Sequence, residues 1–175
     1  LLALPWQDHL RIEQTFMIDF HAIDSAITHN QYGAQRVKDA IVDSFRARTG
    51  VRPSVDRDAP QVRFSVFVDK NQVTISLDLS GESLHRRGYR VQSGPAPLKE
   101  TLAAALLLRA NWYESARRGG GFTDPLCGSG TLLIEAALIA ADIAPGLLRP
   151  RFGFTGWSAH NATLWQTLVE EARER

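Results

Sequence analysis

Strict alternation marks the segment 61–81. Val62, Phe64, Val66 and Val68 alternate with Arg63, Ser65 and Phe67, and Val73, Ile75, Leu77 and Leu79 alternate with Thr74, Ser76 and Asp78. A period of two predicts two strands, with the turn at 69–72, forming a hairpin with one buried face. Residues 15–22 (TFMIDFHA) also alternate and predict a strand. Between them, Ala34, Val37, Ile41 and Phe45 recur at helical spacing. A helix is therefore expected over 30–50, with Arg46 and Arg48 in its last turn and Gly50 at its exit. Pro53 and Pro60 punctuate the loop that follows. A strand, helix, strand, strand order predicts a small α+β domain over residues 1–81.

The pattern changes after Gly81. Residues 82–96 contain HRRGYR and little apolar material, so a linker is expected there. A second unit is expected over 97–175. Its first helix, about 99–110 (KETLAAALLLRA), is apolar around much of its circumference and predicts burial. Residues 117–121 (RRGGG) read as a loop, 122–125 (FTDP) as a short strand end, and 131–141 as another buried helix. Pro145 and Pro150 break helices within an aromatic, glycine-rich stretch, and an amphipathic helix is expected from about Ala162. Both termini look like cuts through a longer protein. No repeat and no low-complexity segment occurs.

Composition changes this picture little. The 175 residues are 44% apolar and 22% charged with a net charge of +1, as expected of a globular chain. Net charge therefore speaks neither for nor against a nucleic-acid partner; local clusters must do so. Cys127 is the single cysteine, which excludes an internal disulfide and fits a reducing, cytoplasmic setting. No apolar run reaches membrane-spanning length. The five histidines have no metal-ligand spacing, so no metal site is expected.

Candidate chemistry concentrates at 124–131, Asp-Pro-Leu-Cys-Gly-Ser-Gly-Thr, which runs straight into an apolar helix. A phosphate-binding P-loop needs Lys after its last Gly, where Thr131 stands. A dinucleotide fingerprint needs a third Gly where Leu133 stands. A nucleophile elbow needs Gly where Cys127 stands. S-adenosylmethionine meets no such objection. Its carboxylate can use free N–H groups at the helix start. Gly128 and Gly130 let it lie against the backbone. Asp124 can accept from its ammonium group, and Pro125 turns the chain without leaving an unpaired N–H. A plain strand-to-helix turn that uses Gly for geometry is the other reading. Cys127 lies beside a helix start, where a thiol pKa can fall, or is simply a small residue in a tight turn.

The segment DPLCGSGTLLIEAA closely resembles motif I of the bacterial large-subunit rRNA guanine-N2 methyltransferases of the K/L type. NQYGAQRVKDAIVDSF, RPSVDRDAP, LDLSGESLHRRGYR and APLKETLAAALLLRA resemble the same family in the same order. The resemblance implies a partial THUMP-type RNA-binding domain at 1–81, a linker at 82–96, and the start of a Rossmann-like α/β methyltransferase domain at 97–175. It implies a parent enzyme that methylates the exocyclic N2 of a guanine in 23S rRNA with S-adenosylmethionine. Asp124, Pro125, Cys127, Gly128, Ser129 and Gly130 would line the cofactor site, with Pro97, Lys99, Glu100 and Thr101 approaching from the lead-in helix. The family's catalytic run, Asn or Asp followed by Pro-Pro and an aromatic residue, does not occur here, so no catalytic residue is assigned and the chain alone is expected to be inactive. A stand-alone RNA-binding module with a vestigial loop, and a tRNA guanine-N2 or adenine-N6 methyltransferase, are the alternatives.

Arg86, Arg87, Tyr89 and Arg90 combine cations with an aromatic ring, which suits RNA phosphates and a stacked base. Arg46, Arg48, Arg52 and Arg57 form a second basic stretch, and Arg117 with Arg118 a third.

Overall fold

The computed structural model describes residues 1, 4–92, 94 and 96–175. Of the expected linker, residues 93 and 95 lie outside the described residues. The chain forms two compact units, Leu1–Gly81 with Arg151–His160, and Glu82–Pro150 with Asn161–Arg175.

In the first unit, strand β1 (Thr15–Ile23) is followed by helix α1 (Asn30–Thr49), the short strand β2 (Ser54–Val55), and strands β3 (Val62–Asp69) and β4 (Gln72–Leu77). They form a four-stranded sheet of order β2-β1-β3-β4. β1 runs parallel to β2 and β3, and β3 pairs antiparallel with β4. Lys70 and Asn71 both take positive φ, the mirror-image turn that matches strand twist in a two-residue hairpin. Register follows from burial: Val62, Phe64, Val66 and Val68 point into the core, so a one-residue slip would expose all four. α1 contributes Val37, Ile41 and Phe45 to the same core, and Trp6 meets Phe64 edge-to-face at 5.4 Å between ring centres.

Two details depart from expectation. β2 falls in what reads as a loop, since two residues carry no detectable period. The alternation in β4 buries less than expected: Val73 and, beyond it, Leu79 are exposed, because β4 is an edge strand.

Residues 151–160 join this unit as a strap. The Phe154 N–H donates to the Leu79 carbonyl (3.0 Å), Arg151 donates to the Gln61 carbonyl (2.7 Å), and Gln14 donates to the Gly156 carbonyl (2.6 Å). Gly153 and Gly156 lie so close to the backbone of Asp78 and Gln61 that a Cβ at either would collide with a carbonyl oxygen. Trp157 stacks on His9 and donates to its Nδ1 (3.2 Å).

The second unit is helical: α2 (Glu100–Arg109), α3 (Trp112–Arg117), α4 (Thr131–Ala140) and α5 (Ala162–Arg173). Its core gathers Leu107, Trp112 and Ala136, with Phe122, Leu132 and Ile139 packed against them. The Trp112 indole N–H donates to the Ala136 carbonyl at 2.8 Å. The short helix α3 is not foreseen from the sequence. The strand end expected at 122–125 is not formed, because a parallel strand needs neighbours and none exists in this unit among the described residues. α2 is buried on one side only: Ala103 and Leu107 face inward, whereas Leu102, Leu106 and Leu108 are exposed. α5 is capped by Asn161, whose side chain accepts the Leu164 N–H (2.9 Å), and its apolar Leu164 and Leu168 face solvent. Among the described residues no helix is long and apolar enough to cross a membrane, and no cluster of metal-ligating side chains occurs.

Candidate cofactor site

The site is built where a loop meets the start of α4. Asp124 closes a small turn, its Oδ1 accepting the Leu126 N–H at 3.1 Å. A second turn follows, with the Gly130 N–H donating to the Cys127 carbonyl at 2.8 Å. Gly128 (φ 53°) and Gly130 (φ 76°) both occupy the left-handed region, where a side chain with a Cβ is strained. A Cβ at Gly128 would meet nothing within 4 Å, so glycine leaves open space above the loop.

Gly130 is the N-cap of α4, and no side chain caps this helix. Its first N–H groups therefore have no intrahelical acceptor, and the helix dipole adds partial positive charge there. That combination suits a carboxylate. Asp124, earlier in the same loop, suits an ammonium. The loop thus offers complementary poles to an α-amino acid, which fits the tail of S-adenosylmethionine.

Pro97, Lys99 and Thr101 are exposed ahead of and within the first turn of α2, and the Lys99 carbonyl accepts from Leu102 and Ala103. Glu100 is different: it is buried, and its Oε1 accepts from Arg90 Nε at 2.8 Å. Burial pushes the Glu100 carboxyl up, but the Arg90 hydrogen bond, the backbone N–H and the charges of Arg90 and His85 outweigh it and hold the carboxyl below its ordinary value. Arg90 reaches further. Its Nη1 donates to Ser129 Oγ (3.1 Å), and its Nη2 to the Leu98 carbonyl (2.8 Å) and Thr131 Oγ1 (3.0 Å). Arg90 therefore ties Glu100 of α2 to the two hydroxyls at the start of α4. A cavity of about 510 Å³ opens beside it, between residues 85–90 and 97–100.

Of the four residues expected on RNA, three are engaged within this unit. Arg90 holds the loop. Arg87 forms a two-pronged pair with Glu135 at 3.3 Å through Nε and Nη2. Tyr89 donates its hydroxyl to Glu135 Oε1 at 2.8 Å. Burial first, then the hydrogen bond and the carboxylate charge of Glu135, raise the Tyr89 phenol well above its ordinary value. Only Arg86 is solvent-facing, 3.7 Å from the equally exposed Glu82. The segment that reads as a linker is thus fastened to two helices. The sequence carried a signal for this: α4 places Glu135 within an apolar helix, and such a charge needs a partner when it is buried.

Cys127 is exposed on the loop, its thiol 3.8 Å from the Gly128 carbonyl. In the first unit, Arg46 pairs with Asp43, Arg48 donates to Gln7, and Arg57 lines a small groove with Lys38 and Gln35.

Comparison with known proteins gives the family. The model of the RMKL-like methyltransferase domain matches residues 87–175, and that of the THUMP domain matches residues 1–78. The ribosomal RNA large subunit methyltransferase K/L of Syntrophotalea carbinolica is 56% identical over 173 residues, covering 99% of this chain and 24% of the relative. The protein of the same name from Methylococcus capsulatus is 56% identical over 170 residues, covering 97% of this chain and 23% of the relative. This chain thus spans about a quarter of the curated relatives it matches. Among solved structures, a methyltransferase called SMU.472, complexed with SAH, superposes with a TM-score of 0.85 at 31% identity, over 99% of this chain and 45% of that one. A predicted N6-adenine-specific DNA methylase from Listeria monocytogenes gives a TM-score of 0.82 at 36% identity, over 99% and 44%.

Proposed function

Since the chain belongs to the family of RMKL-like methyltransferase domains, here preceded by a THUMP domain, we propose that it carries the RNA-binding module and the cofactor loop of a bacterial, cytoplasmic rRNA methyltransferase. The reaction moves the methyl group of S-adenosylmethionine to the exocyclic N2 of a guanine in 23S rRNA, with loss of a proton from that amine. One observation carries the cofactor assignment: two left-handed glycines lead into an uncapped helix beside Asp124. This loop takes the amino-acid tail of the donor. The α4 N–H groups and Ser129 face its carboxylate, Asp124 takes its ammonium, and Pro97, Lys99 and Thr101 approach from the lead-in helix.

No residue of this chain is assigned to the chemical step. The Asn/Asp-Pro-Pro-aromatic run that would hold the target amine in a flipped-out base is absent from the sequence. The chain's own work is to bind donor and RNA. A ribosomal substrate is favoured over tRNA or DNA by the shared name of the relatives that match at 56% identity.

The test is transfer of labelled methyl from S-adenosylmethionine to 23S rRNA by the intact protein, and by this chain alone. The intact protein is expected to modify a guanine at N2, and the chain alone to show no turnover. Turnover by the chain alone, or label on tRNA but not on 23S rRNA, contradicts the assignment.

A further inference from the structure

Arg90 has no place in the amino-acid-binding loop by sequence, being about forty residues away, yet its guanidinium touches both hydroxyls of Ser-Gly-Thr at the start of α4. Such a cation is ill placed on electrostatic grounds, since the N-terminal end of a helix is its positive end. Glu100 offsets the charge at 2.8 Å, and the Leu98 carbonyl takes a further N–H. The guanidinium is thus fixed by α2 and the segment before it, and its remaining donors reach Ser129 and Thr131.

The consequence lies in the hydroxyl protons. Arginine donates and never accepts. A Ser129 Oγ that accepts from Nη1 must therefore turn its own proton away from Arg90. Thr131 Oγ1 lies 3.4 Å off, longer than a good O–H···O bond, and so is a poor acceptor for that proton. The Ser129 proton is therefore available to a ligand that reaches this exposed residue. We propose that Arg90 is a positioning residue: through Ser129 and Thr131 it presets the loop as an array of donors for the carboxylate of the methyl donor, before that ligand arrives. This rests on the cofactor reading above and extends it to a residue that does not itself touch the ligand.

The experiment compares two ligands on the intact protein by calorimetry. S-adenosylhomocysteine carries the amino-acid tail; 5′-methylthioadenosine has the same adenosine and lacks the tail. Arg90→Lys keeps the charge beside Glu100 but, with three N–H donors, cannot serve Glu100, Leu98, Ser129 and Thr131 at once. It is expected to weaken S-adenosylhomocysteine about ten- to hundredfold, the scale of lost charge-assisted hydrogen bonds, with 5′-methylthioadenosine changed less than about threefold. Ser129→Ala, an exposed substitution that leaves folding intact, is expected to have the same selective effect, and the double variant is expected to be no worse than Arg90→Lys alone. Arg87→Lys, which disturbs the Glu135 pair and not the loop, serves as the structural comparison and is expected to lower Tm while moving both ligands by the same factor. Equal weakening of the two ligands by Arg90→Lys, or additive effects of Arg90→Lys and Ser129→Ala, overturns the proposal while leaving the cofactor reading in place. Failure of the unsubstituted protein to bind either ligand overturns both.

Discussion

Arg87 meets both carboxylate oxygens of Glu135 at 3.3 Å, and Glu135 is 2% exposed on the inner face of α4. The charge is compensated only because residues 87–90 lie down on the helices, and Tyr89 adds a hydroxyl to the same carboxylate. A segment that looks like a basic RNA strip is therefore part of the packing of its own unit.

Breaking that pair from one side leaves a buried charge without its partner. Arg87→Ala is expected to destabilise the second unit by about 3–5 kcal/mol. Tyr89→Phe, which removes one hydrogen bond to a charged group, is expected to cost about 1.5–3 kcal/mol. Urea unfolding followed by circular dichroism on this chain reads both; losses below about 0.5 kcal/mol would contradict the packing role.

The two shifted groups set opposite pH limits. Glu100 is held below its ordinary 4.5, so its contribution is present above that value and is lost as pH falls through the lower folded value. Tyr89 is raised above its ordinary 10.0, so its contribution is complete below that value and declines as pH rises past it. Glu100→Gln is expected to flatten the acid limb of stability against pH, and Tyr89→Phe the alkaline limb. The difference from the unsubstituted chain, measured by thermal unfolding across pH, isolates each group.

The strap onto the first unit tolerates no side chain at its closest point. Gly156→Ala would place a methyl group against the Gln61 carbonyl, and the resulting shift is expected to cost about 1–3 kcal/mol. Chemical denaturation, with Trp157 fluorescence marking the strap, checks this. An unchanged midpoint would mean that residues 151–160 are dispensable to that unit.

RNA binding separates the basic residues. Arg86 is solvent-facing, its ion pair being with the equally exposed Glu82, so Arg86→Ala is expected to reduce the salt slope of RNA binding by about 0.7 to 1. Arg87 and Arg90 are spent internally, and their substitution is expected to register as lost stability instead. Filter binding at several salt concentrations measures the slope; an effect of Arg87→Ala equal to that of Arg86→Ala, in protein that remains folded, would return the whole strip to the RNA surface.

How much was legible in advance depended on the range of the interaction. The β3–β4 hairpin and α1 were readable because their signals are local: a period of two closed by Lys70-Asn71, and apolar residues four apart closed by Gly50. The loop was readable because Gly128 and Gly130 have a backbone role that few other residues fill. What escaped was long-range. Nothing near Arg90 in sequence announces Ser129, and nothing near Gly156 announces Gln61. The expected burial of α2 held on one side only, since Leu102, Leu106 and Leu108 stay exposed among the described residues, which composition alone cannot reveal. Glu135 within the apolar helix α4 was the missed clue, for a carboxylate in such a place predicts an arginine arriving from elsewhere.

The central claim is that the turn after Asp124 cradles the amino-acid end of S-adenosylmethionine, and calorimetry of S-adenosylhomocysteine on the intact protein with and without Gly128→Val tests it most directly. Valine at φ 53° is strained and its side chain fills the space that glycine leaves open. Saturable binding at one site, abolished or weakened at least about tenfold by Gly128→Val, is the predicted result; no saturable binding, or equal affinity with valine in place, would contradict it.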